Sequence, residues 1–419
     1  MQKFFLSKIF FIAVLLFSCT IANFSILHAA PFVKDNDRLL IAGDSITAQR
    51  LYSVYIESYL LLCSGLKDVK VLHMGRGGNT ARGFAERMEN DGMFWHPSIV
   101  STCFGMNDGQ YSAYDDKIGN TYRQNMEQIV DFFTGKGIKV IIGSPGVADS
   151  KFYKRNNISP AVYNQTLAKL TEIDKAIAEA KSCVFANLHE TMMDSMIKAK
   201  TALGEDYAIA GDGIHPGTNG HLVMAYAFLK AMGFDGKIAL IEMDWNGKTS
   251  ASEGHKVLNE SQGCVEMESI RYPFCGDFSI YPYVSFQQDL NRFTLKVKNI
   301  PCEKAEVFWG DSKKIFSRED LERGVNLAEE FLKNPFSRQF SKVSYAITLK
   351  QGVDAGIIYG FITHIKNFND INGGATKETD AALNILKEKL LAKQVEADVK
   401  LRAEIIPIKH IIKITPVTQ

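Results

Sequence analysis

The reactive groups of this chain sit in four short segments: Gly43-Asp44-Ser45-Ile46, Gly75-Arg76-Gly77-Gly78-Asn79, Gly105-Met106-Asn107-Asp108 and Asp212-Gly213-Ile214-His215-Pro216. Together they supply what acyl transfer from an ester requires. A serine hydroxyl is a weak nucleophile at neutral pH and needs a neighbouring base, for which histidine is the suited side chain. A carboxylate must hold that imidazole in the right tautomer, and Asp212, three residues before His215, is spaced to reach Nδ1 while Nε2 faces the serine. Attack on the carbonyl creates an oxyanion, which preorganised N–H donors stabilise by ~10²–10³ in turnover each. The glycine at 78 allows close backbone approach, and the Asn107 amide adds an uncharged donor. Each segment alone is an ordinary turn signal; four in order are not.

The elements that position them read from apolar runs. Leu39 to Ala42, Val69 to Met74 and Ile99 to Phe104 precede the first three segments and are expected as buried strands. Ile138 to Ile142 is a fourth strand and Cys183 to Leu188 a fifth. Pro160 to Lys181 is a helix with Tyr163, Leu167, Leu170 and Ile177 on one face, and another helix begins near Gly217. Alternating strands and helices predict a three-layer α/β/α domain. The four segments then share the C-terminal edge of a parallel sheet, where ligands bind in open α/β folds.

Residues 37 to 235 resemble the SGNH hydrolase superfamily, also called the GDSL esterase/lipase family, whose four motif blocks occur here in order. The resemblance implies a flavodoxin-like parallel sheet. It makes Ser45 the nucleophile, His215 the general base and Asp212 its orienting carboxylate. It places the backbone N–H groups of Ser45 and Gly78 and the Asn107 side chain in the oxyanion hole, with Asp44 bracing the nucleophile turn. His73 departs from the pattern: family members often carry Asn two residues before the first glycine. The chain lacks G-x-S-x-G, H-E-x-x-H and paired C-x-x-C motifs, and the inferred mechanism needs neither a metal nor an organic cofactor. Cys103, in an apolar strand, is expected as packing. His96, His189, His221 and His364 lack ligand spacing and are expected as surface or core filler.

Lys3 and Lys8 precede an apolar stretch reaching about Leu27, then Ala29-Ala30-Pro31, so residues 1–30 resemble a secretory signal peptide. Export to the periplasm or exterior is expected. Leu16-Phe17-Ser18-Cys19 is a poorer fit to a lipoprotein cleavage box, and an uncleaved anchor is the lesser reading. No later run has the ~20 apolar residues of a membrane span. The formal charge is +1, and removing the leader's two lysines leaves a single negative charge, which gives no basic footprint for nucleic acid. Of seven cysteines, Cys264 and Cys275 are the best local candidates for pairing.

The chain divides into the leader (1–30), the hydrolase-like domain (31–235) and a smaller β-rich α+β region (236–419) of unassigned role. In the last, Phe293, Leu295, Val297 and again Val343, Tyr345, Ile347, Leu349 alternate as strands do. Ser317 caps a helix with Asp320 three residues on. Gly324-Val325-Asn326-Leu327 resembles an extension found on some secreted bacterial SGNH proteins. Glu378 to Leu401 reads as a packed amphipathic helix through Leu383, Leu386 and Leu390. Trp245 and Trp309 are expected in the core rather than as sugar platforms. The expected activity is removal of short acyl, chiefly acetyl, groups from a carbohydrate through a Ser45 acyl-enzyme. The substrate partner is thus a small acyl ester or acylated glycan. Acyl transfer to a glycan, lipid or thioester hydrolysis, and a silent glycan-binding role remain open alternatives; oligomeric state is not legible.

Overall fold

The computed structural model describes residues 31–417; the leader-like segment 1–30 lies outside the described residues. Five parallel strands, β1 (Arg38–Gly43), β2 (Lys70–Gly75), β3 (Ile99–Cys103), β4 (Lys139–Gly143) and β5 (Val184–Ala186), form a sheet in the order β2-β1-β3-β4-β5. This is the flavodoxin-like winding, with its switch point between β1 and β3. The strands are mostly apolar because helices cover both faces. Leu39 and Ile41 pack into one buried cluster, Leu40 and Ala42 into the other.

The helices carry the expected signals. Ser159 caps Pro160–Lys181, with proline in its first turn, and Asp115 caps Asp116–Thr134. Helix α1 (Ser45–Ala48) follows β1 directly, and Thr218–Ala231 begins just after the His215 segment. Gly75 permits close approach at the end of β2, since a Cβ there would lie 2.4 Å from the Ala48 backbone nitrogen.

Beyond residue 236 lie two further sheets. The first orders Val325–Asn326, Arg292–Lys298, Lys237–Asp244 and Thr249–Ala251, its two long strands pairing in parallel. The second is antiparallel, in the order Ser312–Ser317, Lys304–Trp309, Ile408–Pro416, Cys264–Ser269, His255–Ser261. The buried core runs across the 235/236 boundary, from Leu39 and Ile41 to Phe293, Trp309 and Ile412. Trp309 is fully buried, and its Nε1–H donates to His410 Nδ1 at 3.2 Å.

Three expectations are corrected here. Val343, Tyr345, Ile347 and Leu349 lie not in a strand but in the helix Ser337–Gly360. Val343, Ile347, Lys350, Asp354 and Ile358 are buried at helical spacing, whereas Tyr345 and Leu349 are 65% and 56% exposed. Their alternation was a coincidence of exposed apolar residues. The helix Lys377–Ala403 buries Leu383 and Leu401, but Leu386 is exposed. Cys264 and Cys275 are free thiols. Cys264 opens a strand, while the Cys275 thiol faces the Pro273 carbonyl and Asn334.

The helix Ser337–Gly360 returns to the parallel sheet. Its Lys350 ammonium bonds Glu57 at 3.1 Å, Asp354 at 3.3 Å and the Val71 carbonyl of β2. Gln351 donates to Glu57 at 2.7 Å and accepts from Ser53 at 2.7 Å. One ammonium faces two carboxylates in a dry site, and burial pushes Glu57 up to about 7. Lys350 stays charged because Asp354 and Glu57 outweigh the opposing effect of its burial.

Candidate active site

Ser45 sits where β1 hands over to α1. Its Oγ–H donates to His215 Nε2 at 2.8 Å, and His215 Nδ1–H donates to Asp212 Oδ2 at 2.6 Å. The other Asp212 oxygen accepts the backbone N–H groups of Ile214 at 2.9 Å and His215 at 2.7 Å. Partial burial works against ionisation of Asp212, but these bonds outweigh it and hold the carboxyl below its usual range. The turn between Asp212 and His215 needs Gly213, whose φ is +86° and where a Cβ would strike the Tyr153 backbone at 2.2 Å. An imidazole held in this way can take the serine proton as the hydroxyl attacks a carbonyl.

Asp44 caps the nucleophile turn, its Oδ1 accepting the Ile46 N–H at 2.9 Å. Asn107 lies beside the second segment: Nδ2 donates to the Asn79 carbonyl at 2.8 Å, and Oδ1 accepts from Tyr111 at 2.7 Å. Tyr111 thereby fixes which end of the amide presents its N–H groups. Gly78 is exposed, with open space on its side-chain side.

The structure adds residues that the sequence reading did not single out. Asp108 ties the second and third segments together by accepting the N–H groups of Ala81 and Gly105, each at 2.9 Å. Asp149 is fully buried, pairs with Lys200 at 3.1 Å and accepts the Ile209 N–H at 3.0 Å, anchoring the approach to His215. Its own N–H donates to the Gly213 carbonyl at 3.0 Å. The bonds to Ala81 and Ile209 have no sequence signature, because they reach 27 and 60 positions along the chain, whereas the Asp108 bond to Gly105 is a local turn within the third segment. His73 sits in β2 and its Nε2–H donates to the Thr47 carbonyl at 2.8 Å, bracing the turn that carries Ser45. Burial pushes its pKa down to about 4, so the ring is neutral. His221, also neutral at about 3 through burial, donates to Gln49 at 2.6 Å and accepts from the Tyr52 N–H at 3.3 Å. His189 donates to the Gly146 carbonyl at 2.8 Å.

Burial pushes Asp44 up to about 7 from 3.8. A carboxyl whose folded pKa is raised binds its proton more tightly in the native state, so its contribution to stability falls as pH rises from about 4 to about 7. Asp44→Asn keeps the cap acceptor and removes the titration. The stability of the variant relative to the parent should therefore climb across that window and level off above it, as read by urea unfolding. A difference independent of pH would rule out titration of Asp44 there.

Residues 41–223 match the model of the GDSL-like Lipase/Acylhydrolase family. An acetylxylan esterase of Geobacillus stearothermophilus is 24% identical over 220 residues, which span 48% of this chain and 97% of that protein. The solved structure of a gut microbial diltiazem-metabolizing enzyme matches with a TM-score of 0.70 at 21% identity, covering 93% of this chain and 100% of that one. The shared fold thus extends through the C-terminal sheets. No described helix is long and apolar enough to cross a membrane, and no described cluster of three His, Cys, Asp or Glu side chains has the arrangement of a metal site.

Proposed function

Because residues 41–223 belong to the SGNH superfamily, the GDSL-like lipases and acylhydrolases, and make this chain a carboxylic-ester hydrolase, we propose that it is an exported enzyme that removes acetyl groups from a carbohydrate through an acyl-enzyme on Ser45. The observation that carries this reading is the continuous hydrogen-bonded line from Ser45 Oγ through His215 to Asp212. As Oγ bonds to the ester carbonyl carbon, its proton passes to His215 Nε2, and Asp212 stabilises the resulting imidazolium. The carbonyl oxygen takes the developing charge beside the Ser45 and Gly78 N–H groups and the Asn107 amide. Collapse breaks the ester C–O bond, and His215 returns the proton to the departing sugar hydroxyl. Water then attacks the acyl-enzyme with His215 again as base, releasing acetate and restoring Ser45.

The sugar-acetate assignment is supported by the acetylxylan esterase relative, and export by the leader-like composition of residues 1–30. The test is acetate release from acetylated polysaccharides, an aryl acetate and diltiazem, with sugar acceptors added in parallel. Release from glycans is the expected result. Acetyl appearing on the acceptors instead would make the enzyme a transferase, and turnover confined to diltiazem or long-chain esters would overturn the carbohydrate reading. Asn107→Ala should lower kcat about 10²–10³-fold while Ser45 still reacts with a phosphonate; an unchanged kcat would remove Asn107 from the oxyanion site.

A further inference from the structure

A cavity of about 380 Å³ opens beside the nucleophile turn, between the end of α1, the Gly75-Arg76-Gly77 backbone and the C-terminal half of the helix Ser337–Gly360. Its lining includes Arg50, Arg76, His73, Tyr359 and His364 and contains no carboxylate. The neighbouring cations are neutralised: Arg87 pairs with Asp91 at 2.8 Å, and Lys350 with Glu57 and Asp354. Arg50 and Arg76 have no ion-pair partner among the described residues. Arg50 lies against Gly352, with its Nε buried and without a hydrogen-bond partner. Arg76 is exposed, its guanidinium carbon 6.0 Å from the Tyr359 ring centre. His73 is only 1% exposed and also leaves its Nδ1 without a partner. Since Nε2 carries the proton given to Thr47, Nδ1 is an acceptor for a hydroxyl or a water.

We propose that this cavity is a substrate subsite that holds the anionic group of an acidic sugar, a carboxylate or a sulfate, on Arg50 and Arg76 while a neighbouring acylated hydroxyl reaches Ser45. The proposal rests on the sugar-ester reading above and deepens it. Guanidinium groups suit such oxyanions because their N–H groups form paired, charge-assisted hydrogen bonds. The geometry suits a sugar scale: Ala48 of the lining is three residues beyond Ser45, about 5 Å along a helix axis. The Arg76 N–H donates to the Gly43 carbonyl at 3.0 Å, so the arginine is carried on the same frame as the nucleophile. The far wall, Ala355, Tyr359, Thr363 and His364, comes from the C-terminal region, which thereby selects substrate as well as supporting the fold.

The test uses full-length Ser45→Ala protein, which needs no turnover, and titrates by calorimetry three unacetylated trisaccharides: an oligogalacturonate, a sulfated galactan and a neutral galactan. At least one acidic ligand should bind about tenfold to a hundredfold tighter than the neutral one, with the advantage shrinking as salt is added. Arg76→Gln and Arg50→Gln should each remove about tenfold of it, and Arg50→Lys should restore part. The tighter of the two acids identifies the group. Equal binding of all three sugars, or acidic binding indifferent to both arginine variants, overturns the subsite. If acidic sugars bind as expected but no ester is cleaved, the subsite stands and the esterase reading falls.

Discussion

Ser45→Ala should lower turnover of an aryl acetate by about 10⁴–10⁶-fold, the cost of losing the proposed nucleophile from a triad that acts as a unit. The residue donates its only hydroxyl proton to His215 Nε2 at 2.8 Å, so the substitution deletes both the attacking oxygen and the group the base serves. His215→Ala should cost about as much, and the double variant little more, because each single change already disables the same step. What survives should come from the backbone donors and from binding, so KM should move far less than kcat. A serine-directed phosphonate should label the parent and leave Ser45→Ala unmarked. Retention of more than about 1% of kcat in Ser45→Ala would place the nucleophile elsewhere.

Lys350→Met lowers folding stability by about 3–5 kcal/mol at pH 8, the range for removing one partner of a buried ion pair. The methionine fills much the same volume, so the loss should come from Glu57 and Asp354, left in a dry site without their cation. Its pH dependence has a definite sign. Burial already pushes Glu57 up to about 7, and without Lys350 both carboxyls favour their neutral forms still more. The folded variant then holds protons that the unfolded chain releases, so its deficit should shrink as pH falls from about 8 to about 5. Urea unfolding at the two pH values measures this, and adding Glu57→Gln to the variant should recover part of the loss at pH 8. A deficit equal at both pH values would indicate packing rather than charge.

The catalytic half of the molecule was legible because its strands are buried on both faces and end in glycine-rich turns. Leu39 to Ala42 is an unbroken apolar run and Ile99 to Phe104 a mostly apolar one, as a covered parallel sheet needs, and β1 and β3 lie there. Pro160–Lys181 agrees with its sequence limits because Ser159, Pro160 and the apolar face state the same boundary. Past residue 236 the local signals weaken. Tyr345 and Leu349 face solvent from a helix, so hydrophobicity alone misreported their period. The ion cluster was invisible for another reason: Glu57 and Lys350 are separated by 293 positions, and neither is unusual in its own neighbourhood. The bonds of Asp108 to Ala81 and of Asp149 to Ile209 likewise reach distant backbone, where sequence spacing carries no information. The cationic cavity combines both difficulties, since Arg50 and Arg76 meet a wall supplied by residues 355 to 364.

The antiparallel sheet has a consequence for how the molecule is made. Its middle strand is Ile408–Pro416, flanked by Lys304–Trp309 and Cys264–Ser269, and the buried bond from Ser269 to His410 spans 141 positions. The flanking strands therefore emerge from the ribosome long before the strand that joins them, and their open edges await it. Pairing over such distances is slow and leaves edges exposed to other chains. A nascent chain stopped short of Ile408 would keep its parallel sheet and motif segments yet present two unjoined hairpins, so aggregation during synthesis, rather than loss of chemistry, is the hazard this topology creates.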